Sequence, residues 1–354
     1  MTDTLKAPFP WFGGKSRVAG IVWQRFGDVR NYVEPFFGSG AVLLGRPSSP
    51  QIETVNDLDG FVANFWRATQ RDPEAVAQFA WNPVNENDLH ARHVWLIGQA
   101  SSLSRKLEGN PDWYDAKIAG YWVWGVSCWI GGGFCFGKGS WYVDEGGLLV
   151  KGGDGRGVRR NRPHLSCAGL GVNRKLPHLS GDGLGVNRNL PHLSGAGRGV
   201  NRKRLYLGDA GRRDSLIAYF ERLRDRMGGV RVASGNWSRV CGPAVTHRQG
   251  MTGVFLDPPY ADTANRDPAL YRVDSSTVAH DVREWAILNG ENPKMRIALC
   301  GYVGEHTMPP SWECVSWKAN GGYANQKPGP NENATRERIW FSPACLSGDS
   351  GSIA

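Results

Sequence analysis

The chain lacks the features of a membrane-spanning or secreted protein. It has no uninterrupted apolar run of transmembrane length, and its first ten residues lack the basic-then-apolar order of a signal peptide. Its seven cysteines are an odd number and include no Cys-x-x-Cys pair. This usage argues against a disulfide framework and a cysteine zinc site, and favours reduced thiols. We therefore expect a cytoplasmic protein with no membrane partner and no metal.

Acidic residues are scarce in one block of the chain. Residues 155–213 hold 13 Lys or Arg and two Asp, a net charge of +11, whereas the whole chain carries +9. A basic block on a near-neutral body suggests a polyanion partner, most often nucleic acid, although a solvated basic linker remains an alternative. The 354 residues, 40% apolar and 21% charged, suffice for one large α/β domain with an insertion or for two domains.

The basic block contains an internal repeat of period 14 over residues 155–210. Its units are GRGVRRNRPHLSCA, GLGVNRKLPHLSGD, GLGVNRNLPHLSGA and GRGVNRKRLYLGDA. Because Gly and Pro break a helix, short extended segments joined by Gly turns are expected. The units then stack on one another, on the main body or on a ligand, or form a partly mobile arm that orders on its partner. His164, His178 and His192 recur with the repeat and are not interpreted as metal ligands.

The segments on either side of the repeats predict strand–helix units. Asp72-Pro73-Glu74 is typical of a helix start, and residues 82–97, 113–130 and 214–227 are further helix candidates. Residues 230–233 read as a strand. The simplest architecture is an α/β sheet domain made of residues 1–66 and 212–354, interrupted by an inserted region at 67–211.

A rare tetrapeptide, Asp257-Pro258-Pro259-Tyr260, follows the apolar strand predicted at 253–256. Two prolines stop the strand and fix an extended backbone at its carboxyl end, where ligands bind in open α/β sheets. A carboxylate, a proline carbonyl and an aromatic ring at that edge suit a planar substrate with an exocyclic amine, such as a nucleobase.

Three further motifs precede it. Residues 11–15 read Trp-Phe-Gly-Gly-Lys, and residues 32–42 read Tyr-Val-Glu-Pro-Phe-Phe-Gly-Ser-Gly-Ala-Val, which predicts a strand, a Gly-bounded turn and a helix start. This turn is neither the three-glycine dinucleotide fingerprint nor a Walker loop. A second strand, residues 52–55, ends at Asn56-Asp57. Asp57 is a candidate for binding a ribose, with a helix cap as the alternative role.

In this order, the four motifs resemble those of the Dam-type DNA adenine-N6 methyltransferases, in the form met in phage-like members. The resemblance covers about residues 1–66 and 212–345, with residues 337–343 similar to the family's last strand. It implies a Rossmann-like S-adenosylmethionine-dependent methyltransferase sheet. The region at 67–211 then occupies the place of an inserted, partly helical target-recognition domain that carries the 14-residue repeats.

The resemblance also implies roles for single residues. Asp257, Pro258, Pro259 and Tyr260 would be catalytic, and a second set would border S-adenosylmethionine: Trp11, Lys15, Glu34, Phe36, Gly38, Gly40, Asp57, Asn236 and Asp257. Asn236 departs from the family's acid at this position. An amide oxygen still accepts a hydrogen bond from the cofactor's adenine amine, so weaker cofactor binding is expected.

The expected reaction is methyl transfer to adenine N6 of a base flipped out of double-stranded DNA. Asp257 and the Pro258 carbonyl would accept the amine protons and aim the nitrogen lone pair at the sulfonium methyl, while Tyr260 stacks on the base. No covalent intermediate is needed, and the Pro-Cys dipeptide of cytosine-C5 enzymes is absent. Cytosine-N4 or RNA amine methylation, and a catalytically idle DNA-binding protein with the same fold, remain alternatives.

The basic repeats would then bind DNA phosphates without reading sequence. One arginine pair and three single arginines of the repeats are the candidate contacts: Arg159, Arg160, Arg174, Arg188 and Arg202. A tolerated expansion in an exposed loop is the alternative. The expected setting is a monomer in the cytoplasm of a bacterial or phage-infected cell, with or without an accompanying restriction enzyme.

Overall fold

A computed structural model describes residues 5–11, 14–48, 51–129, 134–135, 141–143, 146, 149–151, 213–260, 277–317 and 336–347. The elements in chain order are α1 (Ala19–Phe26), β1 (Asn31–Glu34), α2 (Ala41–Leu44), β2 (Ile52–Asp57), α3 (Gly60–Arg71), α4 (Pro73–Ala80), α5 (Glu86–Gly109), α6 (Ala116–Cys128), β3 (Trp141–Val143), β4 (Leu149–Lys151), α7 (Arg213–Met227), β5 (Arg231–Ser234), β6 (Thr252–Leu256), α8 (Val278–Gly290), β7 (Met295–Tyr302), β8 (Glu313–Ser316) and β9 (Glu337–Phe341).

Seven strands form one sheet in the order β5-β2-β1-β6-β7-β9-β8. The first five run parallel, and β9 is antiparallel to both of its neighbours. β3 and β4 pair separately as an antiparallel hairpin. The α/β class expected from the sequence is confirmed, and the sheet is compatible with a methyltransferase fold.

Alternate residues of the central strands bury their side chains in two cores, one on each face of the sheet. Tyr32 and Phe255 belong to a large core shared with the helices from α1 to α7. Val33 and Val254 belong to a smaller core completed by Val282 and other residues of α8. These strands are therefore buried on both sides, which is why their sequences read as continuous apolar runs.

The helix boundaries follow the capping residues. α4 begins at Pro73 as expected, with the Asp72 side chain accepting a hydrogen bond from the Ala75 N–H. The helix expected at 82–97 instead runs from Glu86 to Gly109, because Asn85 caps it by accepting from the Asp88 N–H. Asp115 caps α6 in the same way, inside the expected range of 113–130.

The helices of the middle region share a core with the sheet. α3 spans residue 66, where the sequence suggested that the catalytic domain gives way to an insertion, and Trp66 is fully buried. Residues of α4, α6 and α7 belong to the same core. The division of the chain at 66 and 212 stays a prediction, and the repeats at 155–210 lie outside the described residues.

A buried ion-pair network connects α7 to the amino-terminal half of the sheet. Glu53 on β2 is 2% exposed and bonds Arg46 at 3.1 Å and Arg226 of α7 at 2.7 Å. Each arginine also donates to a backbone carbonyl, that of Val29 and that of Leu43, respectively. The segments before and after the repeats are thus joined by charge as well as by packing.

No helix in the described part of the chain is long and apolar enough to span a membrane.

Candidate active site

The carboxyl ends of β1 and β6 lie side by side at the centre of the sheet. The chain places β2 on one side of β1 and β6 on the other, so the connections from these strands diverge at this point. Such a switch point leaves a crevice between the two loops, where doubly wound α/β folds bind ligands. Two of the sequence motifs, the Gly-bounded turn after β1 and the Asp257–Tyr260 segment after β6, meet here.

Lys15 and Asp257 form an ion pair of 2.9 Å at this edge. Lys15 is 5% exposed, so its ammonium is held out of water, and Asp257 is 18% exposed. The same ammonium donates to the Tyr260 hydroxyl at 3.3 Å. The motif at 11–15 and the tetrapeptide at 257–260, far apart in sequence, therefore meet. Phe12 and Gly13 of the first motif lie outside the described residues.

Burial and neighbouring charges have opposite effects on the pKa values of Lys15 and Asp257. Burial disfavours the charged form of Lys15, but Asp257 and Glu337 outweigh it and raise the lysine pKa, so Lys15 stays protonated. Burial raises the pKa of Asp257, and Lys15 limits that rise. Burial also raises the pKa of Tyr260, which keeps its hydroxyl a donor. The ion pair with Lys15 therefore favours the ionised form of Asp257.

Glu337 belongs to the same cluster, although the sequence reasoning gave it no role. Its Oε2 accepts a hydrogen bond from the Tyr260 hydroxyl at 2.6 Å. Tyr302, which pairs with Glu337 across β7 and β9, packs edge-on against the Tyr260 ring at 4.5 Å between centroids. The Trp317 ring lies 5.6 Å from Lys15 Nζ. A charged residue shortly before the apolar run at 339–341 was the available sequence signal for Glu337.

The turn after β1 is shaped by two glycines in the left-handed region. Gly38 has φ 47° and Gly40 has φ 67°, where residues with a Cβ are strained. A Cβ on Gly38 would collide with the Trp11 indole, and one on Gly40 would lie 2.8 Å from the Phe37 ring. Trp66 secures the turn by donating to the Gly38 carbonyl at 2.9 Å. Trp11 therefore lies directly over the glycine turn.

Asp57 is bound to the same turn. Its Oδ2 accepts from the Gly38 N–H and its Oδ1 from the Asp59 N–H, both at 2.8 Å. The helix cap that was the alternative role for Asp57 is supplied by Asp59, whose side chain accepts from the Phe61 N–H. Asp57 is itself partly exposed.

Asn56, which the sequence reasoning passed over, ties three strand ends together. Its Nδ2 donates to the Pro35 carbonyl after β1 at 3.1 Å and to the Gly235 carbonyl after β5 at 2.9 Å. Its own carbonyl accepts from the Phe37 N–H. Because Asn56 is 1% exposed and ends a buried strand, a polar residue there indicates a structural clamp.

Asn236 follows β5 at the outer end of the crevice and is exposed. Its Oδ1 accepts from the backbone N–H of Ser238 at 3.0 Å and from its hydroxyl at 2.8 Å, which caps the 3₁₀ turn Trp237–Val240. The Trp237 ring stacks on Phe36 with centroids 6.4 Å apart and planes 27° from parallel. The amide oxygen expected to bind the cofactor is thus already engaged with Ser238.

Glu34 ends β1 with its carboxylate below the surface. It is 2% exposed and accepts from the Tyr32 hydroxyl at 2.8 Å. Burial raises its pKa well above the usual range, and Asp257 adds to the rise. Its predicted place beside the methionine end of a cofactor stays a prediction, as do the roles of the other site residues. The five candidate arginines of the repeats lie outside the described residues.

An α/β sheet with a carboxylate, a tyrosine and a glycine turn at its switch point is compatible with a methyltransferase fold. Residues 11–93 match the model of the D12 class N6 adenine-specific DNA methyltransferase family. The match covers about a quarter of the 354 residues and supports adenine-specific DNA methyltransferase activity. The matched segment holds Trp11, Lys15 and Asp57 but ends before Asp257. No curated protein matches the chain.

Proposed function

We propose that the chain transfers a methyl group from S-adenosylmethionine to N6 of an adenine flipped out of double-stranded DNA. The observation that carries this proposal is the ion pair between Lys15 and Asp257 beside the turn held by Asp57. The Asp257 carboxylate, which suits the amine of a base, therefore lies in the same crevice as the Asp57 carboxylate, which suits a ribose. The family match supports the reaction, and the geometry supports the residues.

The residues around the glycine turn fit S-adenosylmethionine by the chemistry of their donors and acceptors. The Asp57 carboxylate, partly exposed at the end of β2, suits the two ribose hydroxyls. The Phe36 and Trp237 rings offer apolar surface to an adenine ring, and Asn236 retains its amide N–H groups for a ring nitrogen. Trp11, Lys15, Glu34, Gly38 and Gly40 would enclose the methionine end. When bound, the cofactor supplies an electrophilic methyl on a sulfonium.

Asp257 and the Pro258 carbonyl would act on the target amine. Adenine N6 is a poor nucleophile because its lone pair is delocalised into the ring. Two acceptors that bind both amine protons hold the nitrogen in place and increase its electron density. Lys15 keeps Asp257 ionised despite burial, and Pro259 holds the backbone extended. Tyr260 would stack on the base and replace part of the stacking lost on flipping.

DNA would reach this edge with help from the middle of the chain. We propose that residues 67–211 form the target-recognition region and that Arg159, Arg160, Arg174, Arg188 and Arg202 contact phosphates. The charge of the block supports this role, since 13 cations oppose two aspartates in residues 155–213. A monomer in the cytoplasm of a bacterial or phage-infected cell is the proposed working form.

The test is methyl transfer from labelled S-adenosylmethionine to unmodified DNA, with the product nucleosides separated. We expect N6-methyladenine from the parent protein and at least a thousandfold less from Asp257→Ala. Asp281→Ala, an exposed aspartate on α8, is the matched control and should retain full activity. Label in RNA or in cytosine would overturn the substrate. If neither DNA nor RNA is labelled and calorimetry detects no cofactor binding, the chain is a catalytically idle DNA-binding protein.

A further inference from the structure

Glu337 is a buried carboxylate in the segment 337–343, and no role in the site was expected for it from the sequence. It is 4% exposed and is the first residue of β9. Because β9 runs antiparallel to β7, its first residue lies at the carboxyl edge of the parallel strands. Because of this strand direction, Glu337 lies at the same sheet edge as Asp257. Burying a carboxylate removes its hydration, which destabilises the fold unless hydrogen bonds replace the lost water contacts. The hydrogen-bond partners of Glu337 therefore indicate its role.

The partner of Glu337 is the Tyr260 hydroxyl. This hydroxyl donates to Glu337 Oε2 at 2.6 Å and accepts from Lys15 Nζ at 3.3 Å. A hydrogen bond to a carboxylate is about twice as strong as one between neutral groups. Burial raises the pKa of Glu337, while Lys15 lowers it and favours the ionised form. The hydroxyl therefore lies between an ammonium and a carboxylate, which fixes its direction.

The Tyr260 ring is held at its other side as well. Tyr302 packs edge-on against it, and the Pro258-Pro259 backbone leads into it. A tyrosine ring fixed at its hydroxyl and its edge keeps one orientation of its face. Stacking on a base needs such an orientation before the base arrives, because ordering the ring afterwards would cost binding free energy.

We propose that Glu337 is a positioning residue that orients Tyr260 for the target adenine through the hydroxyl hydrogen bond. This inference rests on the proposed function, in which Tyr260 stacks on the flipped base. Glu337 itself does not touch substrate. Its effect passes through one hydroxyl, so removing either partner of that bond should have the same consequence.

The experiment is a double-mutant cycle of Glu337→Ala and Tyr260→Phe. Single-turnover methyl transfer is measured on DNA with adenine at the target position, and base flipping is measured separately by the fluorescence of DNA with 2-aminopurine at that position. We expect each single variant to slow transfer by about tenfold and to alter the 2-aminopurine signal in the same way. The double variant should be no slower than either single variant. Losses that multiply in the double variant would overturn the proposal.

Glu337→Gln separates the hydrogen bond from the charge, since the amide oxygen still accepts from Tyr260. We expect this variant to retain activity within about threefold of the parent. Activity as low as that of Glu337→Ala would mean that the charge acts on Lys15, and the proposal would be wrong. Glu284→Gln, on the exposed side of α8, is the control. It should behave like the parent.

Two measurements distinguish a failure of the positioning role of Glu337 from a failure of the proposed methyltransferase function. Thermal unfolding and cofactor calorimetry on each variant show whether the fold and the cofactor site survive, and we expect cofactor affinity within about twofold of the parent. If the parent protein makes no N6-methyladenine, the proposed function fails. If the parent is active and Glu337→Ala matches it, only the positioning role fails.

Discussion

Lys15 and Asp257 come from different halves of the chain and meet in a 2.9 Å ion pair at the centre of the sheet edge. Lys15 stands in the 3₁₀ turn Lys15–Arg17, before the first strand, and Asp257 directly follows β6. The pair makes the ionisation of a buried carboxylate depend on one lysine. That dependence gives a pH-sensitive prediction.

Lys15→Met removes the charge and keeps the length of the side chain. Burial then acts on Asp257 against the Tyr260 hydrogen bond only, so the Asp257 pKa rises above the already raised value in the parent. Since the ionised form accepts the amine protons, activity should fall at least tenfold at pH 7 and partly recover at higher pH. The acid limb of the profile of kcat/KM against pH should move to higher pH.

The measurement is a pH series of single-turnover methyl transfer for the parent and Lys15→Met. Lys294→Met, an exposed lysine at the start of β7 on the opposite sheet edge, is the matched control. An acid limb at the same pH in Lys15→Met and the parent would show that Lys15 does not set the ionisation of Asp257.

Asn236→Asp should strengthen cofactor binding. An aspartate can keep one oxygen on the Ser238 N–H, as Asn236 does, and present the second to the adenine amine of S-adenosylmethionine. A charge-assisted hydrogen bond exceeds a neutral one by about 1 kcal/mol, which corresponds to roughly fivefold in Kd. Asn236→Ala, which removes both the cap and the ligand contact, should weaken binding.

Isothermal calorimetry on the two variants decides this prediction. Ser238→Ala controls for the loss of the hydroxyl bond to Asn236 without changing residue 236 itself. Equal affinities for the parent and Asn236→Asp would remove Asn236 from the cofactor site. The exposed position of Asn236 makes a folding defect in either variant unexpected.

The sequence predicted the parallel strands and the edge where the site lies, because apolar runs ending in Gly, Asp or Pro carry a local signal. β6 and the Asp257–Tyr260 segment are such a case, and Asp72 before α4 is another. Glu337 was not predictable in this way. Its place depends on β9 running antiparallel to β7, and strand direction is set by tertiary pairing and not by local sequence.

Asn56 and Asn236 illustrate a second limit. Both are amides at strand ends, yet Asn56 is buried and clamps the carbonyls of Pro35 and Gly235, whereas Asn236 is exposed and caps a 3₁₀ turn. An amide can donate and accept in any direction, so its residue type does not reveal its partners. The start of α5 shows a related limit, since the helix expected from residue 82 begins at Glu86, after the cap at Asn85.

Deleting residues 155–210 should weaken DNA binding and flatten its salt dependence. The deleted units hold most of the block's 13 cations, and each phosphate contact adds about −0.9 to the slope of log K against log salt. The slope should therefore fall by several units while cofactor affinity stays unchanged. Binding is measured by fluorescence anisotropy over a salt series, and an equal slope in the deletion would leave the repeats without a DNA role.

Glu53→Ala should destabilise the fold strongly without touching the crevice. Glu53 is the shared partner of Arg46 and Arg226, and its removal leaves two guanidinium groups facing each other below the surface. Removing one partner of a buried ion pair costs about 3–5 kcal/mol. Glu53→Gln should cost less, because the amide oxygen still accepts a hydrogen bond.

Asp225→Ala, which breaks an exposed pair with Arg224 on the same helix as Arg226, should change the free energy of unfolding by less than about 1 kcal/mol. Urea unfolding of the three variants measures these differences. Similar values for Glu53→Ala and Asp225→Ala would mean that packing alone joins α7 to β2, and that the two halves of the chain on either side of the repeats do not depend on the network.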